Sequence, residues 1–265
     1  MTYVNDMDDQ SGISRFGRLA ISEQERFRTA GRHMAGFARQ HAIPIFFGPP
    51  PSIGGKINGG SGSLLQLSSG VFLITAYHVL HEYGVRQQAG EPVQWQVGNL
   101  LPFDPFARVV WKDAQKDIVL IFLLPDEVSR INPHCLISRP EKWPPPVPEK
   151  EQLVLAAGYP KTLREVNQLD GKISAGGYAT MLQVTSVNAG YFMCQIEQQD
   201  LVSFNDDPVP KITTDIGGIS GGPVFLVNPL HYPLIGVITE SSEAFGCQLL
   251  RVSTLADVLE KDFKS

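Results

Sequence analysis

The chain predicts an all-β fold built as two units, with a helix at each end. Three observations carry this reading. Gly 25 and Pro 20 in 265 residues exceed the ordinary share and favour many turns and short strands. Most of the sequence is short apolar segments punctuated by Gly, Pro and Asn, the texture of strands rather than of long helices. Two proline clusters, Pro49-Pro50-Pro51 and Pro144-Pro145-Pro146 with Pro148, fit neither helix interior nor central strand, so they divide the chain.

Residues 1–16 form a polar, acidic tail. Ser22 with Glu25 makes a capping box that opens a helix over Glu23–Gln40. Phe27, Ala30, Met34, Phe37 and Ala38 fall on one stripe of it, while Arg26, Arg28, Arg32 and Arg39 lie largely off that stripe. A helix packed on the protein's own body is the first reading, and a docking helix for a protein partner is the second. Ser63–Gln66, Val71–Thr75, Val93–Val97, Arg108–Trp111 and Ile118–Leu124 read as strands of a first unit. Leu153–Ala157, Gly177–Val187, Tyr191–Ile196, Pro223–Val227 and Leu234–Thr239 read as strands of a second. Thr254 with Asp257 resembles a further capping box, with Leu255, Val258, Leu259 and Phe263 on one side of a C-terminal helix. The expected division is therefore 1–42 for tail and helix, 43–138 for the first unit, 139–150 for a proline linker, and 151–265 for the second unit with its helix.

Composition narrows the function. With 43% hydrophobic and 18% charged residues, the chain is that of a packed domain. A net charge of −5 gives no electrostatic case for binding nucleic acid. The longest apolar run, Ile118–Leu124, falls far short of the roughly 20 residues a bilayer demands, so no membrane role is expected. Cys135, Cys194 and Cys247 lie far apart without a CxxC pair, and the polar start is unlike a secretory signal. A soluble, cytoplasmic protein without cofactor or metal is the expectation.

The segment Gly217-Gly218-Ile219-Ser220-Gly221-Gly222-Pro223 carries the strongest chemical signal. A GxSGGP pattern arises by chance in roughly three of ten thousand such chains. Small residues around one serine let backbone amides approach a bound carbonyl and meet the negative charge that develops during acyl transfer. Serine then needs a base, normally histidine, oriented by a carboxylate. Among six histidines, His78 ends the apolar strand from Val71, where an imidazole is held rigidly at a core edge; His81 is the nearest rival. Asp117 directly precedes the apolar run Ile118–Leu124, while Asp113 and Asp104 sit in more polar contexts.

Thr75-Ala76-Tyr77-His78, Asp117-Ile118-Val119-Leu120 and Gly218-Ile219-Ser220-Gly221-Gly222-Pro223 resemble the three signature segments of the trypsin-like (chymotrypsin-fold) serine peptidases, in that family's order. The resemblance is closer to the disulfide-free bacterial and intracellular branches. It spans roughly residues 44–260 and implies two six-stranded antiparallel barrels with the site between them. It implies His78 as general base, Asp117 as its orienting acid, and Ser220 as nucleophile, with the Gly218 and Ser220 amides as oxyanion hole. It also implies that Thr214, at the floor of the specificity pocket, and Thr239, Glu240 and Ser241, along its wall, meet the substrate. A neutral Thr214 favours cleavage after small or medium uncharged residues. Ile219 stands where the digestive members carry an Asp that pairs with a newly freed amine, so activation by that ion pair is not expected.

Competing patterns fail on order or chemistry. Gly218-Ile-Ser220-Gly-Gly222 also fits the nucleophile elbow of α/β-hydrolases, but no acid lies between Ser220 and the later His231. An order of Asp, His, Ser would need Asp6, Asp8 or Asp9 of the polar tail. His78 and His81 lack a third metal ligand, and Gly54-Gly55-Lys56-Ile57 lacks the hydroxyl of a P-loop. The sequence therefore points to a serine endopeptidase acting on protein or peptide substrates. The alternative is a peptidase-like module kept for binding or scaffolding.

Overall fold

The computed structural model describes residues 21–50, 54–100, 102–131, 133–138, 140, 142–167, 172–196, 216–228, 231–244 and 247–263. The expected tail at 1–16 and Thr214 lie outside these residues.

The N-terminal helix α1 spans Ile21–His41 and carries Arg39 in its last turn, a cation suited to a helix C-terminus. Seven strands follow: β1 (Ile43–Gly48), β2 (Asn58–Leu67), β3 (Gly70–Ala76), β4 (Gln94–Val97), β5 (Val109–Asp113), β6 (Ile118–Leu123) and β7 (Leu136–Ile137). Helix α2 (Tyr77–Gln88) connects β3 to β4, and α3 (Pro125–Ile131) follows β6. The second set comprises β8 (Leu153–Gly158), β9 (Arg164–Asn167), β10 (Lys172–Ala175), β11 (Tyr178–Asn188), β12 (Tyr191–Ile196), β13 (Pro223–Leu226), β14 (Leu234–Ala244) and β15 (Cys247–Thr254).

The second set contains the expected barrel: β11, β12, β15, β14, β13 and β8 close on one another, with β9 and β10 forming a separate hairpin. For the first set, closure into the expected six-stranded barrel is not seen among the described residues. It is a seven-stranded sheet in the order β4-β1-β2-β3-β6-β5, with β7 added parallel to β2 and, among the described residues, no ladder joining β4 to β5. Aromatic side chains stand at these two edges instead. Tyr83 of α2 packs on Trp95 of β4, and on Phe106 just before β5, at centroid distances of 5.4 and 5.9 Å.

Period-two alternation explains how the halves join. Leu64, Leu73, Val119, Ile121 and Leu123 turn into the first sheet's own core with Phe47 and Trp95. Their neighbours Leu65, Phe72, Ile74, Ile118 and Leu120 turn the other way, onto Leu155, Ala157, Phe225 and Val237 of the barrel. The run at 118–123 is thus buried on both faces, as its unbroken apolar sequence implies. Val154, Ala156, Val184, Phe192 and Val252 fill the barrel. Helix α1 closes the seam with Ala38 buried and Met34 and Phe37 beside it, so the C-terminal part of its apolar stripe packs on the chain's own body, while Ala30 is exposed.

The expected C-terminal helix does not form. After Thr254 the chain turns, and only a 3-10 turn at Glu260–Asp262 follows. Leu255 and Val258 are buried, but the Leu255 amide donates to Ile235 O and ties the segment to β14. The Thr254 hydroxyl does accept the Ala256 amide, a side-chain turn that no helix continues. Among the described residues no helix is long and apolar enough to cross a membrane.

Candidate active site

His78 is the second residue of α2, whose preceding residue, Ala76, has no side chain able to cap the helix. Asp117 supplies the missing acceptor from the turn between β5 and β6. Its backbone has φ 56, a left-handed conformation that Asp tolerates better than most residues. The Tyr77 amide donates to Asp117 O at 3.0 Å. The His78 amide donates to Asp117 Oδ1 at 2.7 Å, and the ring nitrogen Nδ1 lies 2.6 Å from Oδ2. One carboxylate thus satisfies an orphan donor of the helix start and grips the imidazole. In the neutral tautomer that suits this contact, Nδ1–H donates to the carboxylate, which leaves the Nε2 lone pair free to accept a proton. The His78 side chain is 47% exposed and that of Asp117 24%, so the acid is the more sheltered of the two.

Ser220 sits in the turn before β13, and hydrogen bonds tie that turn to both halves. The Ser61 amide of β2 donates to Ser220 O at 2.8 Å, the Gly221 amide to Ile238 O at 2.7 Å, and the Ile238 amide to Gly222 O at 2.9 Å. A Cβ on Gly221 would lie 2.0 Å from Ser61 O and 2.2 Å from Thr75 Oγ1, and Gly221 also has φ +89. Only glycine permits that approach to the strand that delivers His78. At Gly60 a Cβ would meet Ser220 O at 2.9 Å and Val79 Cγ2 at 2.7 Å, so the Ser220 turn and the residue after His78 flank one bare position.

Peptide planarity orients the amides of this turn. Gly217 O accepts from the Lys161 amide at 2.6 Å, and Ile219 O accepts from the Gly222 amide at 2.8 Å. In a trans peptide C=O and N–H point in opposite directions, so the Gly218 and Ser220 N–H groups are turned away from these anchors. Among the described residues neither amide has a protein acceptor. Ile219 is 3% exposed and packs in the barrel core, an apolar anchor for the turn.

Ser61, which the sequence reading left out of the site, links these parts. Its hydroxyl donates to Gly218 O at 2.9 Å and accepts from the Tyr159 amide at 2.8 Å. Its carbonyl accepts the Thr75 hydroxyl at 2.6 Å. Its one sequence signal is a polar residue in a glycine-rich stretch, Gly59-Gly60-Ser61-Gly62, which also reads as an ordinary loop.

Of the wall residues, Thr239 commits its hydroxyl to Arg251 O and Ser253 Oγ of β15, both at 3.3 Å. Glu240 is exposed and stands 3.9 Å from Arg251 Nη1. Ser241 is half-buried on the same strand, and Thr214 is outside the described residues. Among the described residues no group of three or more His, Cys, Asp or Glu could hold a metal ion.

No protein-family model matches this chain, and no curated protein matches it. Several solved structures are similar to it. A thermostable serine protease from an extremophilic microorganism aligns at 13% identity with a TM-score of 0.48, covering 86% of this chain and 96% of that one. A protease of M. tuberculosis in its active form aligns at 16% identity with a TM-score of 0.46, covering 85% and 80%. The protease of tobacco vein mottling virus aligns at 10% identity with a TM-score of 0.45, covering 81% and 77%.

Proposed function

We propose that this chain is a serine endopeptidase of the trypsin-like kind. Ser220 is the nucleophile, His78 the general base, Asp117 the orienting acid, and the Gly218 and Ser220 amides the oxyanion hole. The observation that carries the reading is the two-point grip of Asp117 on the His78 amide and ring nitrogen. That grip prepares an imidazole as proton acceptor at the start of the helix that follows β3, the strand whose Thr75 and Ala76 Gly221 closely approaches.

The chemistry follows from these groups. Nε2 takes the hydroxyl proton as Ser220 Oγ attacks a peptide carbonyl, and the carbonyl oxygen becomes an oxyanion facing the two amides. The imidazolium returns its proton to the leaving amine as the C–N bond breaks, leaving a serine ester. Water, deprotonated by the same imidazole, hydrolyses the ester and restores Ser220. Substrates are proteins or peptides, with small or medium uncharged residues before the scissile bond.

A fluorophosphonate probe tests the assignment. The intact protein is expected to be labelled at Ser220 at neutral pH, and both Ser220→Ala and His78→Ala to lose labelling. Undiminished labelling of Ser220→Ala, or none of the intact protein, overturns it.

A further inference from the structure

Residues 114–117 connect Asp113 of β5 to its partner in the ladder, Ile118 of β6. No glycine lies among them, yet Asp117, the last, has φ 56. A residue with a side chain is strained in that region and stays there only where its surroundings hold it. One hold is the Tyr77 amide, which donates to Asp117 O at 3.0 Å. Another comes from the start of the turn. Asp113 Oδ1 accepts the Gln115 amide at 2.8 Å and the Lys116 amide at 3.0 Å. One carboxylate oxygen thus fixes two consecutive peptide groups, the second of which leads into the residue before Asp117.

The grip on His78 depends on this turn. Asp117 meets the His78 amide at 2.7 Å and the ring nitrogen at 2.6 Å with the two oxygens of one short side chain, which leaves it little freedom. Rotation of φ out of the left-handed region swings the Cα–Cβ bond of Asp117 and carries both oxygens off these contacts. A further tie reaches the turn from the second half of the molecule, where Lys116 Nζ donates to Asp257 Oδ2 at 2.6 Å. The Asp257 side chain is 66% exposed, so that pair holds the turn weakly. The Asp113 bonds lie inside the turn and set the path of the backbone up to Asp117.

We propose that Asp113 is a positioning residue: as acceptor for the Gln115 and Lys116 amides, it holds Asp117 in the conformation that grips His78. This deepens the peptidase reading and rests on it for the effect on catalysis, while the effect on the His78–Asp117 pair stands without it. The turn needs an acceptor at the right reach, not a charge. Asparagine carries a carbonyl oxygen at the same place and closes the same kind of turn. Alanine offers no acceptor, and glutamate keeps the charge but carries it one methylene farther out. Loss of the acceptor is expected to lower kcat by about ten- to a hundredfold, as small misplacements of a catalytic group do, and to move KM by less than about twofold.

The test compares Asp113→Ala, Asp113→Glu, Asp113→Asn and, as a control on the outer tie, Asp257→Ala. Proton NMR at low temperature reads the pair directly. An Nδ1 hydrogen held on a carboxylate resonates far downfield of the amides, and its absence from His78→Ala assigns it. The resonance is expected in the intact protein, in Asp113→Asn and in Asp257→Ala, and is expected to vanish in Asp113→Ala and Asp113→Glu. Fluorophosphonate labelling of Ser220 should slow by about ten- to a hundredfold in those last two and stay within about twofold in the others. If Asp113→Ala loses its folded circular-dichroism spectrum, Asp113→Glu decides. Retention of both the resonance and the labelling rate in the deciding variant overturns the proposal. So does an Asp113→Asn protein that fails as alanine does, since charge would then be the active feature, and so does absence of the resonance from the intact protein. Loss of the resonance in Asp113→Ala, in a protein that fluorophosphonate never labels, keeps Asp113 in its role and sinks the peptidase. Labelling of the intact protein, with resonance and rate unchanged in Asp113→Ala, does the reverse.

Discussion

Replacing Ser61 by alanine removes a hydroxyl that the second half of the molecule uses twice. Gly218 O loses its donor at 2.9 Å, and the Tyr159 amide loses its acceptor at 2.8 Å. Both bonds are partly buried, so each orphaned group costs about 1–2 kcal/mol, and the fold loses roughly 2–4 kcal/mol. The kinetic effect is separate. The Gly218–Ile219 peptide lies between the two amides assigned to the oxyanion, and without Ser61 that peptide loses its anchor. Removing an oxyanion donor outright costs about 10²–10³ in kcat. Here the Lys161 amide still holds Gly217 O and the Gly222 amide still holds Ile219 O, so a smaller loss of about ten- to a hundredfold is expected. KM should move by less than about twofold, because the ground-state carbonyl depends little on these donors. Urea unfolding measures the first effect, and steady-state hydrolysis of a fluorogenic peptide the second. Ser63→Ala is the control, since that buried hydroxyl has no partner among the described residues and its removal should leave kcat unchanged and stability equal or higher. If Ser61→Ala is destabilised as expected yet keeps its kcat, Ser61 is structural and the account of the turn is wrong.

Other perturbations probe neighbouring parts. Asp117→Asn puts an amide where a carboxylate now meets His78 Nδ1, which disfavours the tautomer with Nε2 free; kcat should fall by about 10³–10⁴ while the folded spectrum persists. His41, at the end of α1, has its proton affinity lowered by burial, opposed by its hydrogen bond with Phe37 O. Its neutral form stabilises the fold fully above about pH 6.5, and that contribution is lost as pH falls from there through the lowered folded value. Thermal unfolding across this range should show a decline that is smaller in His41→Phe, and parallel curves for the two proteins would refute the assignment.

Much of the site is legible before folding because its chemistry is local. The glycines around Ser220 are required by the approaches that the turn makes to Ser61 O and Thr75 Oγ1. Asp117 stands out because an apolar run buried on both faces leaves its first polar neighbour at the mouth of the core. Less of the scaffold is legible. The sequence from Tyr77 to Gln88 mixes Val79, Leu80, Tyr83 and Gly84 on its buried side, too weak a pattern to announce α2. Strand β15 runs up to Thr254, just before the residues read as a helix, and its pairing with β14 directs the chain beyond that point. Leu255, Val258 and Phe263 have helical spacing, but the backbone donor of Leu255 finds Ile235 O first.

The sequence by itself determined the candidates for the proposed chemistry and the apolar alternation that packs two β units back to back, because identity and periodicity are properties of neighbouring residues. Only the tertiary structure decided that the described residues of the first unit form a seven-stranded sheet and that Ser61 joins the Ser220 turn to β2 and β3. Those outcomes depend on which distant backbone groups meet. Ser61 and Gly218 stand 157 positions apart, and no short-range pattern records their bond.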